Sequence, residues 1–381
     1  MAQQDRTRRG SEAHERAMKH IAMLTEASTE LRAEPKIARR LDGLIRGIPL
    51  HWDIHDQTQF SKQTLEQVGD LMGEIGVCEL WKRNGRVVYD LHEELSDALA
   101  RSRMGTVPGR IFDQLPHINP MVVLPDPWPA GPGRGTKEGG WVRAFMIFGW
   151  VGRALCNTND PQREGLGVLY LYDVVDEDTG EIIAGGARDF MPLPTSMEKF
   201  SAQDAIKHVE QWQGAVVDDA ELRRAMKSFR PLLEKTFSVI TYLCCDNRDV
   251  EEPPEWLTAQ RKRKTGKGRQ RKEREPFWVR VGWYIGPKLH DARKRANHAP
   301  RSDISIPSGI EYGPQHRAGH FKTVWFGPGK AGERTQSDTK WIEPYWTKLE
   351  DLPEDVDPPT QIVPVDAQRG DPLRRRNTIG R

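Results

Sequence analysis

Between Arg261 and Arg274 the chain reads RKRKTGKGRQRKER: nine of these fourteen residues are Lys or Arg, and none is apolar. Such a run has nothing to bury and its like charges repel, so it predicts a solvated excursion rather than part of a core. With the proline-rich EEPPEWL before it, it defines a basic flexible linker over 251–276 that divides the chain. The fold class expected is α+β. A body over 1–250 combines helices with an antiparallel sheet: helical over 1–118, β-rich over 119–191, helical again over 202–246. A smaller β-rich module follows over 277–347, then a disordered tail over 348–381.

Periodicity supplies the elements. Residues 11–33 read as an amphipathic helix with Ser11 as N-cap and Ala17, Ile21, Leu24 and Leu31 on one stripe, closed by Pro35. A second helix is expected over 61–74 and a short one over 92–102. CELWKRNGRVVYDL, with Asn84-Gly85 at its centre, predicts a β-hairpin. WVRAFMIFGWVG reads as a strand, and VLYLYDVVDEDTGEIIAGGARDF as a hairpin around Asp178-Thr179-Gly180. Leu222, Met226, Phe229, Leu233, Phe237 and Ile240 recur at helical spacing, with Pro231 expected to kink that helix. Beyond the linker, FWVRVGWYIG, HFKTVWFG and TKWIEPYW read as strands and PKLHDARKRAN as a basic helix.

Composition excludes several classes. The 381 residues carry 29% charged side chains and a net charge of +2. Twelve tryptophans and 37% hydrophobic residues argue for a folded chain rather than wholesale disorder. There is no apolar run long enough to span a bilayer and no secretory signal, so a cytosolic protein without membrane contact is expected. Cys78, Cys156, Cys244 and Cys245 form no C-x-x-C pair and read as reduced, buried thiols. His51, Asp53 and His55 would share one face of a strand, but read more simply as a polar face beside Trp52 and Ile54. Neither a metal nor a cofactor is expected. With no nucleophile elbow, zinc-protease motif or dinucleotide fingerprint, an ordinary metabolic enzyme is not expected either.

The residues with most chemistry lie between Phe277 and Trp346, where Trp278, Trp283, Tyr284, Tyr312, Phe321, Trp325 and Trp341 interleave with cations. Single-stranded nucleic acid needs that pairing, cations for phosphates and flat faces for bases. The nucleic-acid-binding set expected is Lys322, Trp325, Lys330, Lys340, Trp341, Arg280, Lys288 and Arg293, with Arg261, Lys262, Arg263 and Lys264 of the linker. Alternatively, the aromatics are the core of a small β-module and the cations its wet face. Within GPQHRAGHFKTVWFGPGK, His316 and His320 stand four apart with Arg317 between them. On one strand or helix that spacing puts both imidazoles on the same side, as either an acid–base pair for RNA cleavage or two ligands of one metal would require.

Taken in order, ITYLCCDNRDVEEP, WVRVGWYIGPKLHDARKRAN, GPQHRAGHFKTVWFGPGK and TKWIEPYW resemble a family of phage- and plasmid-borne proteins. Its pattern is a "LYLCS-x-N" helix end, a "G-x-x-I-G-x-x-L-R-x-A" helix, a "P-H-x-R-R-x-H-W" strand and a closing "W-I-x-P". The resemblance runs mainly over 240–346; the pattern's first histidine falls at Gln315, one place before His316, and its last Trp at Phe321. The family includes an anti-CRISPR inhibitor of type V-A systems, which acts by recognising the nascent N-terminus of its target nuclease and causing loss of the message. The resemblance implies a mobile-element accessory protein that binds RNA or a ribosome–nascent-chain complex, with a possible protein target in the host, and lowers expression of its target. Two other classes remain open: a ribonuclease with His320 as general acid or base, and a protein- or peptide-binding module without nucleic-acid chemistry. A binding role is favoured over an enzymatic one.

Overall fold

The computed structural model describes residues 2–45, 62–130, 140–149, 166–175, 182–193, 195, 197–214, 220–251, 275–298, 315–326 and 336–347. The basic run, the 348–381 tail and His51, Asp53 and His55 lie outside them.

The first helix, α1 (Ala2–Leu31), is longer than its periodic stripe and runs past Ser11 toward the N-terminus. Ala17, Ile21 and Leu24 are buried along it. Pro35 opens α2 (Pro35–Ile45) rather than merely closing α1, as its fixed φ suits a first helical position. Helix α3 (Lys62–Arg83) continues through residues expected to form a hairpin. Asn84-Gly85 is its C-terminal cap: Gly85 takes φ 103°, and the Arg86 amide donates to the Trp81 carbonyl at 3.0 Å. Six-to-one closure of this kind satisfies carbonyls a helix end leaves open. The Trp81 indole then donates to the Val87 carbonyl at 2.8 Å and turns the chain into β1 (Val87–Leu91).

After α4 (Glu93–Ala100), β2 (Val107–Pro108) and a 3-10 turn come the long strands β3 (Met121–Ala130), β4 (Gly140–Gly149), β5 (Leu166–Val175) and β6 (Ile182–Pro192). These four pair antiparallel in succession, and β5 pairs β6 as expected from sequence. Register slips between Val123 and Trp128 of β3, where Pro125 and Pro127 have no amide to give the ladder. Strand β7 (Lys199–Phe200) leads to α5 (Ala202–Gly214) and α6 (Ala220–Leu243), which holds Pro231 in its interior.

Strand β8 (Phe277–Val281), expected to open the C-terminal module, is the edge strand of the main sheet. The order is β6-β5-β4-β3-β1-β8, with β1 parallel to both β3 and β8. The sheet is therefore mixed, not purely antiparallel, and covered on both sides. Val88, Met121, Val123, Met146 and Leu169 face α1–α3; Tyr89, Leu91, Val122, Phe145 and Tyr170 face the layer holding α4 and α6. Cys78, Cys244 and Cys245 are free and buried, and burial pushes the Cys78 thiol up to about 11. Among the described residues no helix is long and apolar enough to cross a membrane.

Candidate functional site

After β8 come α7 (Gly286–His298), β9 (Gln315–Arg317), β10 (His320–Phe326), β11 (Gln336–Ile342) and β12 (Tyr345–Thr347). The hairpin β10–β11 is fastened by residues distant in sequence. Asn247, four residues beyond α6, donates through its side-chain amide to the Trp341 carbonyl at 2.8 Å and accepts from the Trp341 amide at 3.0 Å. One side chain thus satisfies both backbone groups of one residue, as a neighbouring strand would. The Trp341 indole donates to Ser102 Oγ at 3.0 Å and meets Tyr242 edge to face at 5.4 Å. Trp341 is 1% exposed, which corrects its place among the nucleic-acid-binding residues: its ring is core.

Backbone pairing also separates the two histidines. His316 and Arg317 lie on β9, in register with Trp346 and Tyr345 of β12. His320 lies on β10, in register with Ile342 of β11. Between the strands, the Gly319 carbonyl accepts from Arg103 and the Phe321 amide donates back to it. The four-residue spacing presumed one continuous strand, and across a break between two strands it no longer assigns the two imidazoles to one face. The His320 ring is 6.3 Å from that of Tyr345, and among the described residues no carboxylate hydrogen-bonds its imidazole.

Phe321 and Trp341 turn inward, so alternation turns the His320 and Lys322 row outward. Lys322 is exposed directly opposite Lys340, beside exposed Val324 and Phe326. Lys340 is half-buried and takes part in a further interaction, so Lys322 is the more accessible of the two. Lys330 and Arg261, Lys262, Arg263 and Lys264 lie outside the described residues; of Trp325 only the backbone position on β10 is described.

The turn between β8 and α7 is built as rigidly. Asp249 accepts through Oδ2 from the amides of Tyr284 (2.8 Å) and Ile285 (2.9 Å), and its carbonyl accepts from Gly282 at 2.8 Å. Gly282 has φ +78°, and a Cβ there would stand 2.3 Å from Leu95 Cδ2. Both conditions require glycine. Gly282→Ala is expected to cost about 2 kcal/mol, read as a lowered urea midpoint; an unchanged midpoint would show that the turn relaxes freely.

Held on this turn, Trp283 and Tyr284 are 46% and 55% exposed. The Arg280 guanidinium lies 5.1 Å from the centre of the Trp283 ring, and the Lys288 ammonium 4.5 Å from that of Tyr284. Arg293, expected to reach phosphate, is instead committed to α4: it donates to Asp97 at 2.7 Å and Glu94 at 3.3 Å. His290 Nδ1 bonds the same Glu94 at 2.5 Å. Burial alone would raise the Glu94 carboxyl, but the His290 hydrogen bond and the Arg293 charge outweigh it, and the net direction is down. A cavity of about 380 Å³ opens here, with Glu93, Glu94, Asp97 and Asp126 set against His290, Arg293 and Lys294. Four carboxylates repel phosphate, so this cluster reads as an ionic tie between α4 and α7. Sequence reasoning missed it, and missed Asn247 and Asp249, because their partners lie far along the chain.

The model of the AcrVA2-like family, described as the anti-CRISPR type V subtype A2 family, matches residues 89–348, well over half of the chain. The chain belongs to this family. The match spans β1 to β12, so the AcrVA2-like family signature takes in both the sheet strands β1 and β8 and the fastened hairpin. A crystal structure of AcrVA2 is similar with a TM-score of 0.50 at 13% identity, covering 86% of this chain and 98% of that one. At that identity the likeness is one of fold. No curated protein sequence matches.

Proposed function

We propose that this AcrVA2-like chain is a mobile-element adaptor that binds RNA of a translating complex and lowers expression of its target without cutting RNA itself. The family description points to a CRISPR type V component as that target. The observation that carries the reading is the outward row of β10–β11. There Lys322 and Lys340 stand directly opposite, in line with His320, while His316 belongs to a different strand pair. Two cations on a braced hairpin suit phosphate; an imidazole that no carboxylate orients among the described residues does not make an acid–base site.

Lys322→Gln and Lys340→Gln are each expected to weaken RNA binding and to reduce the slope of log affinity against log salt by about 1, with the thermal transition unchanged. In a reporter assay following target message level and length, His320→Ala should retain depletion. A folded His320→Ala that binds RNA normally yet leaves the message full-length and abundant would reinstate the ribonuclease. Absence of any RNA binding by the wild type would leave a protein- or peptide-binding module.

A further inference from the structure

We infer that Trp283 and Tyr284 form a stacking platform for the bases of single-stranded RNA, distinct from the phosphate-facing lysines of β10–β11. The inference rests on the RNA reading above and adds to it a second surface that touches bases. Two large aromatic rings about half exposed at consecutive positions are unusual where the backbone is fixed so firmly. A positive-φ glycine against Leu95 and two amides tied to one carboxylate hold this turn, and the Trp283 indole donates to the Asp90 carbonyl at 3.3 Å. The backbone of both residues and the Trp283 ring are therefore held without a ligand, which leaves less freedom for a ligand to remove.

Charge selects the occupant. Each ring carries its own cation, Arg280 or Lys288, and the run of nine Lys and Arg stands immediately before β8 in sequence. An exposed aromatic beside a cation fits a base with its phosphate, because every base has a π-face and every linkage a negative charge. Sequence preference is accordingly weak.

The test is fluorescence anisotropy of the full chain with a labelled oligouridylate and with an abasic ribose-phosphate strand of equal length. Wild type should prefer the base-bearing strand. Trp283→Leu and Tyr284→Leu, which keep apolar bulk but lose the π-face, should each lose about tenfold on that strand, with abasic affinity and salt slope unchanged. Trp283→Phe should retain most of the affinity. Unchanged abasic affinity also serves as the check that the variants are folded. Equal wild-type affinity for both strands, or leucine variants that bind oligouridylate normally, would overturn the platform while the adaptor reading stands. Variants that keep RNA affinity but fail to lower the target message would assign the patch to a protein instead and overturn it too. No RNA binding at all would remove both readings.

Discussion

Trp341→Ala is expected to lower stability by about 3–5 kcal/mol, the range for removing a large aromatic from a closed interior. The ring is among the largest fully buried side chains, pressed edge-on against Tyr242 and donating to Ser102. Truncation leaves a cavity where β11 meets α6 and the segment after α4, and takes the indole donor from Ser102. The measurement is the urea midpoint, with RNA affinity followed in parallel under native conditions. A base-stacking tryptophan would behave oppositely, losing affinity at constant stability. A midpoint within about 0.5 kcal/mol of wild type would return Trp341 to the surface.

Asp173→Ala is expected to be as damaging, about 3–5 kcal/mol at neutral pH, because it strands the half-buried Arg16 and Arg143 guanidiniums and the buried His20 imidazole. Asp173 is 3% exposed and holds α1 to the sheet. Its carboxylate accepts from Arg143 Nε at 2.8 Å, His20 Nε2 at 3.0 Å and Arg16 Nη1 at 3.2 Å. Burial pushes this carboxyl up, yet the His20 hydrogen bond and the Arg143 hydrogen bond and charge override it, bringing it down to about 2. A folded-state value below the unfolded one stabilises above the unfolded pKa, and that stabilisation disappears as pH falls through the folded value. Roughly 2–3 kcal/mol should therefore be present above pH ~4 and be lost toward pH ~2. Urea midpoints across that window should show wild type and variant converging in acid. A difference independent of pH would show that the carboxylate's charge is not what holds α1.

Several elements were legible because their signal is local. The stripe Ala17, Ile21 and Leu24 is the buried face of α1. The alternation around Asp178-Thr179-Gly180 is the β5–β6 pair. Leu233, Phe237 and Ile240 are the buried face of α6. Asn84-Gly85 misled because a hairpin turn and a helix C-cap ask for the same left-handed backbone; the deciding partner, the Trp81 carbonyl, belongs to a helix whose length the local pattern understated. The His316–His320 spacing misled because spacing assigns faces only along an unbroken element.

The sequence by itself determined the α+β class, most of the longer helices and strands between residues 92 and 246, and the ordered motifs that place the chain in its family. Only the tertiary structure decided which aromatics are core and which are surface. Trp341 and Trp283 both stand in aromatic stretches of the sequence that carry cations. Asn247, Ser102 and Tyr242 draw the first into the interior, and Asp249 and Leu95 fix the turn that holds the second at the surface. Burial is a property of partners far along the chain, and no window of local sequence contains them.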